Sequence, residues 1–175
     1  MMTLQPPGPG PLSNAWAPLA FAALLMSAGC TASHKGLVEL EAAARAVPGT
    51  AGPGTVRLRT PEGRSFALRS PDEIEILRAL SGCTIQVSGA AMFGSLVVQD
   101  WTVIEAGDGS APYVGTLRQH GSNVVIDDRH SGMPLVLDEF SAARFGSHTG
   151  QVVMISGYVV GAQLLHVVNF RVLVE

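Results

Sequence analysis

Gly82-Cys83-Thr84-Ile85-Gln86-Val87-Ser88-Gly89 has a counterpart in Gly150-Gln151-Val152-Val153-Met154-Ile155-Ser156-Gly157, 68 residues downstream. Alternating Val and Ile between two fixed glycines is a strand pattern, and strand composition alone does not explain shared glycine spacing. The match continues on both sides. Downstream, Leu96-Val97-Val98-Gln99-Asp100-Trp101-Thr102-Val103-Ile104 parallels Leu165-His166-Val167-Val168-Asn169-Phe170-Arg171-Val172-Leu173, and upstream Gly63–Leu68 parallels Gly132–Leu137, both at an offset of 69. One gap in each flank reconciles the offsets, and a tandem duplication is the economical account.

Each copy has the same order of parts. The first predicts strands over 54–60 and 64–69 with a turn at Pro61-Glu62-Gly63, then a helix, then strands near 83–92 and 95–105. Ser70, Pro71 and Glu73 have the spacing of a capping box with proline at the first helical position, and Ile74, Leu77 and Leu80 form an apolar stripe to cover a barrel end or sheet face. The second predicts strands near 113–119, 123–128 and 133–137, a helical stretch near 138–145, and strands near 151–160 and 164–174.

Three strands, a helix and two more strands is the order of an OB-fold. The phrase Gly150–Gly157, a turn at Gly161-Ala162-Gln163 and a Val-rich last strand resemble the closing strands of bacterial OB-like modules, over about 60 residues of the second copy. The fold expected is therefore mainly β, with tandem OB-like small barrels carrying one short helix each, over 54–106 and 111–175. The first copy has no evident opening strand, so it is expected to be incomplete, and a single composite barrel is the alternative.

The N-terminus carries a different signal. Residues 15–26 are an apolar run followed by Ser27-Ala28-Gly29-Cys30, too short for a span of about 20 apolar residues but of signal-peptide length. Ending at Cys30, the run resembles the lipobox of bacterial lipoproteins, with Ser27 in place of the commonest leucine and no Lys or Arg in residues 1–29. The resemblance implies a signal peptide over 1–29, a mature chain beginning at an acylated Cys30, and membrane lipid as a partner. Thr31, which is not Asp, matches the sorting pattern for the outer membrane, facing periplasm or exterior. Residues 30–53 are expected to be a flexible tether: a polar spacer, helix formers over 37–46, then Pro48, Gly49, Gly52, Pro53 and Gly54.

With Cys30 acylated, Cys83 has no intramolecular disulfide partner, and a lone thiol opening an apolar strand reads as a buried hydrophobe. The net charge of −3 with 14% charged residues does not fit a nucleic-acid partner, and no motif calls for a metal or other cofactor. An envelope protein, a glycan or a small ligand is the partner class expected. Candidate ligand contacts are Arg57 and Arg59, which alternate on one strand and so share a face with Arg64 and Arg69 nearby, and Tyr158 as a stacking surface. Trp101 and Phe170, equivalent in the repeat, are expected to pack in cores. Asp127-Asp128-Arg129-His130-Ser131-Gly132 has the composition of a solvated turn. A small metal-dependent enzyme using Asp127, Asp128 and His130 is the alternative to a non-catalytic binding or structural module. His166 reads as a half-buried strand residue.

Overall fold

The stretch expected to be a tether contains the missing strand. The computed structural model describes residues 31–42 and 54–174, and in it Ala32–Glu41 is strand β1. Residues 1–30, on which the expected signal peptide and acylated Cys30 fall, and residues 43–53 lie outside the described residues. β1 is followed by β2 (Thr55–Arg59), β3 (Ser65–Arg69), helix α1 (Ile74–Ala79), β4 (Thr84–Met92) and β5 (Ser95–Glu105). The second set is β6 (Tyr113–His120), β7 (Asn123–Asp128), β8 (Pro134–Leu137), helix α2 (Glu139–Phe145), a 3-10 turn at Gly146–His148, β9 (Val152–Val160) and β10 (Leu164–Val174).

Each set closes into its own barrel, in the order β1-β2-β3-β5-β4 and β6-β7-β8-β10-β9. The pairs β3–β5 and β8–β10 are parallel and all others antiparallel. That is the five-stranded OB arrangement, present twice and complete both times, so the composite barrel and the incomplete first copy are both corrected. β1 was hidden because Leu37-Val38-Glu39-Leu40-Glu41-Ala42 are good helix formers. Their fate is decided instead by pairing on two sides: Ala32–Leu37 run against β4 and Leu37–Glu41 against β2. Val38 is buried in the core, while Glu39 and Glu41 face out.

The glycine framework has a steric cause. In each closing hairpin the ladder slips twice, and one of the slips falls at the equivalent glycine, between Ser88 and Gly89 in the first barrel and opposite Ser156-Gly157 in the second. A Cβ on Gly89 would stand 2.0 Å from the Val97 carbonyl oxygen, and one on Gly157 would stand 2.1 Å from that of His166. The opening strands repeat the device, with Gly36 against the Arg59 carbonyl at 2.4 Å and Gly115 against that of Asp127 at 2.0 Å. The obstacle is backbone, so the strands themselves must part to admit a methyl group. Gly157→Ala is therefore expected to cost about 1–3 kcal/mol or more, read as a lower urea midpoint at unchanged slope.

The one-residue gap downstream in the repeat lies in a turn. Met92 pairs with Ser95, leaving Phe93 and Gly94 between β4 and β5, whereas Val160 pairs with Leu164, leaving three residues between β9 and β10. Ahead of α1, the Ser70 hydroxyl accepts from the Glu73 amide at 3.2 Å, but the helix begins only at Ile74, with Glu73 at its N-cap and no side-chain cap bond, so the cap expected at Ser70 is corrected. The reciprocal half of the capping box is absent because the Glu73 carboxylate is used elsewhere. Leu77 and Leu80 are fully buried beneath α1, as the stripe predicts.

The cores join the barrels. That of the first barrel centres on Leu58, Leu77, Ile85 and Leu96, and it also takes in Val114, Met154 and Leu173 from the second barrel. The second core, around Leu117, Ile126, Ile155 and Leu165, is packed from outside by Phe145 and Phe170.

Candidate functional site

Arg57 and Arg59 do share one outer face of β2, as their alternation requires. Each is met there by a carboxylate from β1: Arg57 by Glu41 at 3.0 Å and Arg59 by Glu39 at 3.5 Å, with the Arg57 Nε also donating to Ser65 at 2.8 Å. The two acids belong to the segment expected to be a tether, so the two candidate arginines stand on a charge-balanced sheet face. Such exposed pairs contribute little to stability. Tyr158 lies on β9 of the other barrel, 55% exposed, with its ring 4.9 Å from that of His166. The three candidate ligand residues do not form one site.

Asp127, Asp128 and His130 do not converge either. Asp127 pairs with Arg118 at 2.8 Å. Asp128, buried on the other side of β7, accepts from the Ser131 amide and hydroxyl at 2.8 and 2.7 Å and from the Val114 amide at 3.3 Å. Its carboxylate holds the turn, in keeping with the turn composition. Among the described residues no three His, Cys, Asp or Glu side chains gather at a metal-sized point.

What the fold does bring together lies at the junction of the barrels. Arg129, at the end of β7, reaches the first barrel and pairs with Glu73 at 2.5 Å, with its guanidinium 4.5 Å above the Trp101 ring. The Trp101 indole N–H donates to the same Glu73 carboxylate at 2.7 Å. One carboxylate thus holds a buried indole and a stacked arginine, each favourable in a partly desolvated setting. Beside this clamp a cleft of about 470 Å³ runs past Gln86, Ser88, Asp100, Tyr113 and His130.

A second cleft at the junction, of about 580 Å³, is lined by Asp108, Met154, Ser156, Asn169 and Arg171. Asp108 accepts from the Ser110 amide at 2.9 Å, from the Ser110 hydroxyl, and from the Asn169 side chain of the second barrel at 2.8 Å. The bonds from Ser110, with that from Asn169, hold its carboxyl below the usual range. With its proton given to Asp108, the Ser110 hydroxyl in turn accepts from the Ser156 hydroxyl at 2.7 Å. Arg171 reaches back to the Ala79 carbonyl at 3.3 Å and the Cys83 sulfur at 3.9 Å. Cys83 itself is fully buried against Met154, and burial pushes its thiol up despite Arg171, so it behaves as the hydrophobe expected. A mixed polar and apolar cleft between two rigid units is a common setting for a ligand.

His166 has the carboxylate partner that its sequence neighbourhood lacks. Parallel pairing of β8 with β10 places Leu137 opposite Leu165, which brings the next residues, Asp138 and His166, into contact through Oδ2 and Nδ1. Asp138 also caps α2, accepting from the Ser141 amide at 2.7 Å. That bond first, with the Ser141 side chain and His166 adding to it, holds the Asp138 carboxyl below its ordinary value. A depressed carboxyl stabilises the fold above the unfolded-state value of about 3.9 and loses that contribution as pH falls through the folded value. Asp138→Asn is therefore expected to flatten the acid limb of stability below about pH 4, checked by urea midpoints between neutral and acid pH.

Trp101 and Phe170 both pack against cores, though with different partners. Phe170 stacks on Phe145 of α2 at 4.4 Å, whereas Trp101 is the seat of the Glu73–Arg129 clamp.

No protein-family model matches this chain, and no curated protein matches it. Among solved structures, the chain is similar to the tetrameric p202 HIN2 crystal structure at 14% identity, covering 81% of this chain and 94% of that one with a TM-score of 0.26. A likeness at that level carries no weight here, and the barrel assignment rests on strand order and register.

Proposed function

We propose that this chain is a bacterial envelope lipoprotein, anchored through an acylated Cys30, whose two OB-like barrels act as one non-catalytic binding or structural module. The observation that supports binding best is the 580 Å³ junction cleft, where Asp108 of the connecting segment and Ser156, Asn169 and Arg171 of the second barrel converge. Such a surface suits a polar small molecule, a glycan or a loop of an envelope protein. The localisation rests on the lipobox resemblance, with Thr31 after the cysteine favouring the outer membrane, periplasmic or exterior face. Anchoring by acyl chains is stable once two or more are attached, at about 0.8 kcal/mol per buried methylene.

Intact mass of the membrane-extracted protein tests the anchor. A mature chain starting at Cys30 and carrying acyl chains is expected, and Cys30→Ser is expected to retain residues 1–29. A mature chain that starts elsewhere, or Cys30 without lipid, overturns the reading.

A further inference from the structure

We propose that the β4–β5 hairpin of the first barrel is a second membrane contact, in which Met92 and Phe93 enter the bilayer interface beside the lipid anchor. The proposal rests on the lipoprotein reading above. The hairpin tip is the most exposed apolar feature described: Phe93 is fully exposed and Met92 is 57% exposed, with Val97 on the adjoining strand at 39%.

The turn itself is costly for the residue it holds. Phe93 and Gly94 take φ of 47° and 77°, and a two-residue turn with both φ positive favours Asn-Gly, Asp-Gly or Gly-Gly. Phe93 is the one non-glycine residue with positive φ among those described, and a bulky side chain there is an outlier. Neither folding nor packing accounts for it, since the ring has no buried surface. The equivalent turn in the second barrel, Gly161-Ala162-Gln163, has glycine at positive φ and no large apolar residue.

The register supplies the occupant. Ala32 pairs with Gly89, and the strands are antiparallel, so β1 begins at the barrel end toward which β4 runs on through Ala90 and Ala91 to Met92. Cys30 is two residues from Ala32 in sequence, a reach of about 7 Å at most. On the lipoprotein reading, that covalent reach from the start of β1 would keep an acyl chain on Cys30 near the barrel end that carries Phe93. The β2–β3 turn falls at that end too, because β3 runs parallel to β5 and the Ala67 amide donates to the Gly94 carbonyl at 2.9 Å. That turn leads into exposed Arg64, which suits a phosphate headgroup, with Glu62 beside it. Aromatic and apolar side chains next to an anchor add burial to it.

The test uses the membrane-extracted protein, its acylation read by intact mass, reconstituted in phosphatidylcholine vesicles with and without brominated acyl chains. Phe93→Trp is expected to show blue-shifted emission, at least twofold quenched by brominated lipid after subtraction of the wild-type signal. Val168→Trp, at an exposed site of the second barrel, is expected to show no such quenching. Phe93→Asn is expected to raise the urea midpoint, because Asn tolerates the turn. Absence of quenching at 93, equal quenching at both positions, or a lower midpoint for Phe93→Asn overturns the proposal while leaving the anchor intact. Quenching at 93 in a protein whose mass shows no acyl chain upholds the hairpin contact and overturns the anchor.

Discussion

A chain that begins at residue 54 is expected to lose the cooperative unfolding of the first barrel altogether. Without β1, the edges of β2 and β4 that it joins are left unpaired, and a bare strand edge invites aggregation. Removal of a tether would instead leave the melting temperature unchanged. A milder version of the same experiment is Val38→Ala, at a side chain only 1% exposed. Two lost methyl groups and a residual cavity should cost about 2 kcal/mol. Glu39→Ala, at an exposed ion pair on the same strand, should change stability by under about 1 kcal/mol. The contrast between the neighbouring positions is the signature of a strand with one face in a core, since a tether would tolerate both.

The second large effect is expected at Trp101. Trp101→Ala removes a side chain that is 2% exposed and should cost about 3–5 kcal/mol. It also strips Glu73 and Arg129 of the ring and N–H that organise them, so the loss should be felt across the junction. Arg129→Ala and Trp101→Ala are expected to be strongly non-additive in a double-mutant cycle, because the two side chains share one carboxylate. Glu73→Ala, which leaves the buried indole N–H without its acceptor, should cost about 1–3 kcal/mol. Circular dichroism in the near ultraviolet, where the buried indole dominates, and urea midpoints together check the set. Additive losses would mean that Arg129 lies on the ring without holding it.

Much of this arrangement was legible in the amino-acid order because duplication prints the same steric demands twice. Gly89 and Gly157, and the strands around them, stand out by self-similarity alone. β1 escaped because the duplication is masked there. Gly36 and Gly115 do the same work but stand 79 residues apart, since residues 42–54 separate the paired ends of β1 and β2, where Gly121 and Ser122 alone separate β6 from β7. With the offset lost, local helix propensity was the remaining guide, and pairing with β2 and β4 overrode it.

The candidate sites fared differently for a related reason. The alternation of Arg57 and Arg59 gives their shared face correctly, but their partners Glu39 and Glu41 belong to the strand that helix propensity hides, so the charge balance of that face is not legible. Glu73 has the spacing of a capping residue, yet Trp101 and Arg129 compete for its carboxylate, and nothing local reveals a partner 56 residues away. Asp138 and His166 meet only through the parallel β8–β10 pair, and Asp108 meets Asn169 only across the junction. The cap at Asp138 was recoverable from sequence, as an Asp directly before a helix with Ser three residues on. Contacts that topology alone creates were not.

Functionally, a complete first barrel changes what the proposed anchor would do. If Cys30 is acylated as proposed, a β1 that starts at Ala32 leaves little chain between the anchor and the module, and the β4–β5 hairpin becomes its proposed second contact. On that reading the junction cleft would be held close to the bilayer rather than at the end of a flexible lead.

Amide hydrogen exchange across residues 32–41 of the mature protein tests this account most directly. Protection comparable to that of β4, lost only with global unfolding, is the result expected for a strand paired on both sides. Exchange at the rate of an unstructured peptide would contradict the complete first barrel, and the seating of the module on the membrane would fall with it.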